Sequence, residues 1–300
     1  MQMPRREPLS VAVLGAGLIG IDLVTKIQRS PSLRCGLVVG RNSEARGLRQ
    51  AANLGCAIAA EGIDSLLAHG DPFDIVFDAT NAMAHAEHWA RLRPFGTLLV
   101  DLTPSRVGHM VVPTVNGADA LKHGNVNLIS CGGQASVPIL HALAQRYTPD
   151  YIEVVTTAAS LSVGRATRLN LDEYIETTQD AVRTFTGVRD VKSIVNLSPA
   201  RPPTTFRVAM SVVLPGAASE PVSALVATAA EEIRTYAPGY EITACTVTDE
   251  QVFIAAEVAA AGDRIPRYAG NLDIINSAAV LIAEQYATSQ DLVGATKELS

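Results

Sequence analysis

Positive charge is in short supply in this chain. Its 24 lysines and arginines stand against 30 aspartates and glutamates, leaving a net charge of −6. That balance argues against a general nucleic-acid surface or an anionic-membrane surface. Long apolar runs are missing too: none reaches the ~18 residues that suggest a membrane span. Met1 to Glu7 holds two arginines and no apolar stretch before the first strand, so no signal peptide is expected and the cytoplasm is the expected location. Cysteine is sparse, with only Cys35, Cys56, Cys131 and Cys245. Their spacing fits no zinc motif, and a disulfide framework is not expected without a secretion signal. Cys35, Cys56 and Cys245 lie in apolar runs and read as small buried hydrophobes. Aromatic residues make up 5% of the chain, with one tryptophan; Trp89 and the scattered tyrosines read as packing residues. No histidine follows His141. His85 and His88 stand at a helical spacing that can hold a metal, but no third ligand is evident, so they read as a solvated helix face and no metal is expected. His141 lies ~15 Å of helical rise beyond Cys131, too far to serve that thiol.

What is present is apolar and alternating. Hydrophobic residues make up 48% of 300 positions, enough for two domains with their own cores. Short apolar strands are expected at Val11–Leu14, Cys35–Val39, Asp74–Asp78, Thr97–Val100 and Val126–Ile129, with helical stretches between most of them. That alternation implies a doubly wound parallel sheet of Rossmann type over residues 1–130. The pattern then changes. Longer strand-like runs at Tyr151–Thr156, Lys192–Leu197, Thr205–Leu214, Tyr240–Val247 and Val252–Val258 have fewer helices between them. They predict an α+β catalytic and dimerisation domain over 131–270, with a mostly antiparallel sheet. A helix over about 271–286 is expected to pack back on the first domain, and the polar tail to Ser300 to fray.

Gly15-Ala16-Gly17-Leu18-Ile19-Gly20 fits G-x-G-x-x-G directly after a strand and before a helix, the context that makes this motif a dinucleotide loop. An NAD-selective site usually carries an acidic residue about 20 positions on. Arg41 stands there instead, with Arg46 nearby. A guanidinium can pair with a 2′-phosphate, so a nicotinamide cofactor, NADP(H) in preference to NAD(H), is expected. The loops Asp78-Ala79-Thr80-Asn81 and Asp101-Leu102-Thr103-Pro104 follow strand ends, where ligands bind in open parallel sheets. They are equally readable as caps and turns.

Cys131 carries the chemistry. It lies between an extended run and Gly132-Gly133, which opens into a helical pattern near Gln134. A thiol at a helix N-terminus is expected to have a lowered pKa. Backbone N–H groups near Gly133 and Gln134 are expected to hold an oxyanion.

Cys131-Gly132-Gly133-Gln134-Ala135-Ser136-Val137-Pro138 resembles the nucleophile segment of the acylating acetaldehyde dehydrogenases. Asp78-Ala79-Thr80, Asp101-Leu102-Thr103-Pro104, Asn125-Val126-Asn127, Thr167-Arg168, Asn170, Asp172-Glu173, Glu176-Thr177-Thr178, Pro238-Gly239-Tyr240 and Tyr268-Ala269-Gly270-Asn271-Leu272-Asp273-Ile274 resemble other segments of the same family, in order along nearly the whole chain. The resemblance implies conversion of an aldehyde, a nicotinamide dinucleotide and coenzyme A to an acyl-CoA, with Cys131 as acyl-thioester nucleophile. It implies dinucleotide contacts from Ala16 to Ile19, from Ser162, Val163, Gly164, Arg165, Ala166, Thr167, Arg168, Leu169 and Asn170, and from Asn271. It also implies docking to a 4-hydroxy-2-oxovalerate aldolase-type partner, and a homodimer. Four departures stand out. Arg41 replaces an acidic residue. The cofactor loop starts Ser162-Val163-Gly164-Arg165-Ala166 rather than rich in glycine and proline. Arg207-Val208 replaces Arg-Asp, whose aspartate is the family's proposed base. The stretch from Tyr240 to Tyr268 is shorter.

Val208 cannot take a proton from the CoA thiol, so another carboxylate such as Asp273 or Glu173 would have to serve. Alternatively the chain favours thioester reduction by NADPH, where CoA leaves as thiolate. The rival readings are a phosphorylating semialdehyde dehydrogenase, disfavoured by the lack of a distal histidine, and a non-catalytic Rossmann partner of an aldolase.

Overall fold

The computed structural model describes residues 7–262 and 264–298. Met1 to Arg6, most of the segment in which no signal peptide is expected, lie outside them. The chain forms two compact units. The first comprises the described residues up to His109, Gly117–Asn127 and those from Ala279 on; the second comprises Met110–Asn116 and Leu128–Ala278.

The first unit is built from β1 (Leu9–Leu14), α1 (Leu18–Ile27), β2 (Leu33–Val39), α2 (Arg46–Asn53), β3 (Ala57–Ala59), α3 (Ile63–Leu67), β4 (Ile75–Asp78), α4 (Ala82–Leu92) and β5 (Leu98–Asp101). The short β6 (His109–Met110) and α5 (Pro113–Ala120) lead to β7 (Asn125–Asn127). The strand order is β3-β2-β1-β4-β5-β7-β6, with parallel pairing from β3 through β7. β4 and β5 are buried along their whole length, as expected of strands covered on both faces. One core cluster joins Ala12, Leu14, Val39, Ile63, Phe73 and Leu99.

The second unit follows with α6 (Cys131–Arg146), β8 (Tyr151–Ala159), α7 (Arg165–Leu169), α8 (Leu171–Thr186), β9 (Asp190–Ser198), β10 (Phe206–Val213), α9 (Ser219–Arg234), β11 (Tyr240–Val247) and β12 (Gln251–Val258). Its sheet runs β11-β12-β10-β8-β9. Three pairings are antiparallel and β8·β9 is parallel. β8 alternates strictly, with Ile152, Val154 and Thr156 buried and Tyr151, Glu153 and Val155 half-buried. That is the pattern of a sheet with one covered face. α8 starts with Asp172 and Glu173 in its first turn, which suits the helix dipole. It ends at Gly187, whose φ of 75° provides the left-handed cap.

The fold is a Rossmann-type parallel sheet plus a mostly antiparallel α+β sheet, as expected. Differences lie in short elements. β3, β6 and α5 form where no element was expected, and α7 forms within the stretch expected as a cofactor loop. The last helix, α10 (Gly270–Glu298), continues through the polar tail instead of fraying.

Candidate active site

The glycine loop is the whole connection between β1 and α1. Gly15 has φ of +112°, and a Cβ there would come within 2.6 Å of the Ala79 carbonyl oxygen. A Cβ on Gly20 would overlap the Gly15 carbonyl. The space beside Gly17 is open to 4 Å, and Gly17 caps α1 without a side-chain hydrogen bond. Turn, helix packing and approach room are thus divided among three glycines, as a pyrophosphate site requires. Ala16 and Ile19 lie within this loop and first turn, with Leu18 at 58% exposure. Gly47 of α2, not singled out in the sequence, packs so closely on the Ala16 carbonyl that a Cβ would overlap it. Arg41 is exposed just past β2.

The helix-face reading of His85 and His88 is overturned. Both are buried, because α4 lays them against the carboxyl ends of β4 and β5. Asp78 Oδ2 accepts from His85 Nδ1 at 2.8 Å and from His88 Nδ1 at 2.7 Å. Asp101 Oδ1 lies 3.4 Å from His85 Nδ1, and Asn125 faces His85 Nε2 at 3.1–3.2 Å. Burial pulls Asp78 upward, but the bonds from His85 and His88 outweigh it and hold its pKa low. Burial raises Asp101, with the Asp78 charge adding to it against His85. His85 is lowered by burial but raised on balance by the two aspartates. Asp78 Oδ1 also accepts from Thr80 N–H and Thr80 Oγ1 at 3.1 and 2.5 Å. The cluster therefore fixes the Thr80 loop, and Asn81 caps α4 by accepting from Ala84 N–H at 3.2 Å.

In the second unit Cys131 opens α6, and Ser130 caps the helix. The turn before it is strained: Ile129 adopts φ of 55°, rare for a β-branched residue. Cys131 Sγ lies 3.2 Å from Tyr174 Oη. The same oxygen accepts the Gly132 N–H at 2.8 Å. Two expectations fail here. Burial pushes the Cys131 thiol up to about 11, outweighing the lowering by the Tyr174 hydroxyl and the Gly132 and Cys131 N–H groups; desolvation of the charged form wins over the helix terminus. The N–H groups of Gly133 and Gln134 are already engaged, with Ser130 Oγ at 2.9 Å and Ser130 O at 2.8 Å. Tyr174 and Thr156, which crowd Gly132, were not singled out in the sequence.

The 162–170 segment is held by its own backbone. Ser162 Oγ donates to Ala159 O at 2.9 Å, and Arg168 donates to Ser160 O at 2.6 Å and Val163 O at 3.2 Å. Gly164 and Leu169 are exposed, Thr167 is half-buried and Asn170 is buried. The side chains of Arg165 and Ala166 lie outside the described residues. Asn271 Nδ2 donates to Ser162 O at 3.1 Å, so these two expected cofactor residues meet. Asn271 Oδ1 is buried without a hydrogen-bond partner among the described residues.

A family model described as prokaryotic acetaldehyde dehydrogenase, dimerisation, matches residues 131–266. The acetaldehyde dehydrogenase of Streptomyces griseus is 59% identical over 290 residues, covering 97% of this chain and 94% of that protein. The chain belongs to the acetaldehyde dehydrogenase family. Members from Pectobacterium atrosepticum and Spirochaeta aurantia are 40% and 41% identical, each covering 94% of this chain and 97% and 95% of their own. A crystal structure of Vibrio cholerae aspartate semialdehyde dehydrogenase II, complexed with ASA, aligns with a TM-score of 0.65 at 11% identity, over 93% of this chain and 98% of that one. It shares the fold. As an acetaldehyde dehydrogenase family member, the chain is an oxidoreductase.

Val208, where the family resemblance places an aspartate, is 1% exposed. On β10 it stands directly across from Thr156 on β8, so the two share a face of the sheet. The substitution therefore falls across the sheet from Thr156, whose hydroxyl crowds Gly132, the residue after the nucleophile. Neither Glu173 nor Asp273 is among the groups acting on the Cys131 thiol. Asp273 instead accepts the Ala261 N–H at 3.3 Å. His141 is likewise remote in role, its Nδ1 bonded to Phe185 O at 2.7 Å.

Proposed function

We propose that this family member interconverts a short-chain aldehyde and its acyl-CoA thioester through an acyl-cysteine at Cys131, and that NADPH-dependent reduction of the thioester is the favoured direction. The observation that carries the reading is the placement of the Cys131 sulfur at the first turn of α6, within 3.2 Å of the Tyr174 hydroxyl. The glycine loop, with open room beside Gly17, fits a dinucleotide's pyrophosphate. Thr80, residues 162–170 and Asn271 would hold the rest of that cofactor, and the exposed Arg41 would pair with a 2′-phosphate. When bound, the nicotinamide supplies or accepts the hydride.

The chain's own residues do the remaining work. Cys131 attacks the carbonyl carbon, and the oxygen that gains charge is met by the N–H of Cys131 in place of the engaged groups at 133 and 134. Attack on a thioester expels CoA sulfur, a tolerable leaving group near neutral pH. Cys131 is half-buried, which leaves a path for the thioester to reach its sulfur. We further propose that the second unit pairs with a second copy of the chain, that an aldolase-type partner supplies or receives the aldehyde, and that the protein works in the cytoplasm.

The test is a spectrophotometric assay pairing acetyl-, propionyl- and longer acyl-CoA with NADPH and NADH, beside an arm that replaces CoA by phosphate. Cys131→Ala is expected to abolish turnover while dinucleotide binding persists. Turnover retained in Cys131→Ala, or dependence on phosphate instead of CoA, contradicts the reading.

A further inference from the structure

Three groups able to carry a proton meet at the head of α6, and position 208 offers no carboxylate to join them. Tyr174 Oη accepts the Gly132 N–H at 2.8 Å, so its own hydrogen is turned elsewhere, toward Cys131 Sγ at 3.2 Å or toward Thr156. Thr156 is 1% exposed. Its Oγ1 influences Tyr174 from close by yet forms no hydrogen bond of regular geometry. A Cβ on Gly132 would collide with both hydroxyls, so only glycine leaves them room beside the nucleophile. A buried hydroxyl left without a regular partner is costly, and this one sits beside the nucleophile. Directly across the sheet from it stands Val208.

We propose that Tyr174, with Thr156 as a second station, carries the proton between the sulfur of Cys131 and the sulfur of coenzyme A, in place of a carboxylate base. The proposal rests on the acyl-cysteine reading above. In the reductive direction a bond forms between Cys131 Sγ and the thioester carbonyl carbon, and the bond from that carbon to the CoA sulfur breaks, its electron pair leaving on CoA. The Cys131 thiol proton passes to Tyr174 Oη. The Tyr174 hydroxyl proton passes, directly or through Thr156, to the CoA sulfur. The products are acyl-Cys131 and CoA thiol, no atom changes oxidation state, and Tyr174 ends as it began. The reverse path deprotonates CoA without any carboxylate.

The groups suit a neutral relay. Burial and the neighbouring Cys131 hold the Tyr174 pKa well above 10, so the phenol stays protonated in the working range. Cys131, pushed up by burial to about 11, starts as a thiol. Moving protons between neutral groups avoids placing an unpaired charge in a dry site.

The test measures acyl-Cys131 formation by intact-protein mass after rapid mixing of the full chain with acetyl-CoA, without dinucleotide, from pH 6 to 9. Wild type is expected to acylate at a rate nearly independent of pH. Tyr174→Phe should acylate about 10²-fold more slowly. Its rate should then climb about tenfold per pH unit, because the thiolate must form first. Thr156→Val should lose rate in the same manner and Thr156→Ser should retain it. Iodoacetamide labelling, whose leaving group needs no proton, should change far less. Tyr174→Phe acylating within about threefold of wild type with the wild-type pH profile overturns the relay. If melting curves show Tyr174→Phe unfolded, Thr156→Val against Thr156→Ser decides by the same criterion. A folded wild type that forms no acyl-Cys131 overturns the acyl-cysteine reading itself, and the relay with it.

Discussion

A single sulfur is poised as a neutral thiol, and its surroundings decide how. With its thiol pushed up to about 11, free Cys131 should be alkylated by iodoacetamide about tenfold faster for each pH unit between 7 and 9. Mass-resolved labelling checks this; a rate flat across that range contradicts it. Cys35 should stay silent there, since burial and then Cys56 raise it further. At the other cofactor end, Arg41→Asp should move the kcat/KM preference from NADPH toward NADH by at least tenfold, and an unchanged ratio would place the 2′-phosphate elsewhere. Cys131 and Arg41 stand out because local sequence marks them: a cysteine before two glycines at a strand-to-helix junction, and an arginine where a carboxylate is usual; their roles rest on the assays above. The sign of the thiol's shift was not legible. Burial is set by packing, and Tyr174 reaches the sulfur from 43 residues away.

At the scale of elements, the α4 histidines tie two strand ends together. His85 and Asp101 both keep a proton in the folded protein that the unfolded chain releases nearer its ordinary value. Unfolding then releases protons, so stability falls as pH rises, through about pH 4 to 6 for Asp101 and from about 6.5 upward for His85. Asp78, held low, acts in the opposite sense, and its contribution is lost only as pH falls below about 4. Calorimetry should show a lower Tm at pH 8.5 than at pH 6. His85→Leu should cost about 3 kcal/mol by stranding buried carboxylates and should flatten that alkaline decline; a Tm that rises toward pH 8.5 contradicts the assignment. Gly20→Ala should destabilise the first βαβ unit and weaken dinucleotide binding, because its Cβ overlaps the Gly15 carbonyl. The apolar strands and long helices were legible from their periods. β3 and β6 were not, being three and two residues long. His85 and His88 misled because their spacing alone cannot say which face of α4 is covered.

For the whole molecule, the change in the sequence from alternating short strands to long, half-covered ones corresponds to the two sheet architectures. The second sheet keeps a half-open face, with Phe253 at 41% exposure on β12. If that face pairs with a second copy, sedimentation should show a dimer that Phe253→Glu weakens, and a monomeric wild type would refute it. The most direct measurement of the central claim is peptide mapping of the protein after brief incubation with acetyl-CoA. The acyl group is expected on Cys131 alone, lost on adding NADPH with release of acetaldehyde. Acylation at another residue, or no acyl-protein while NADPH is consumed, would contradict the covalent route.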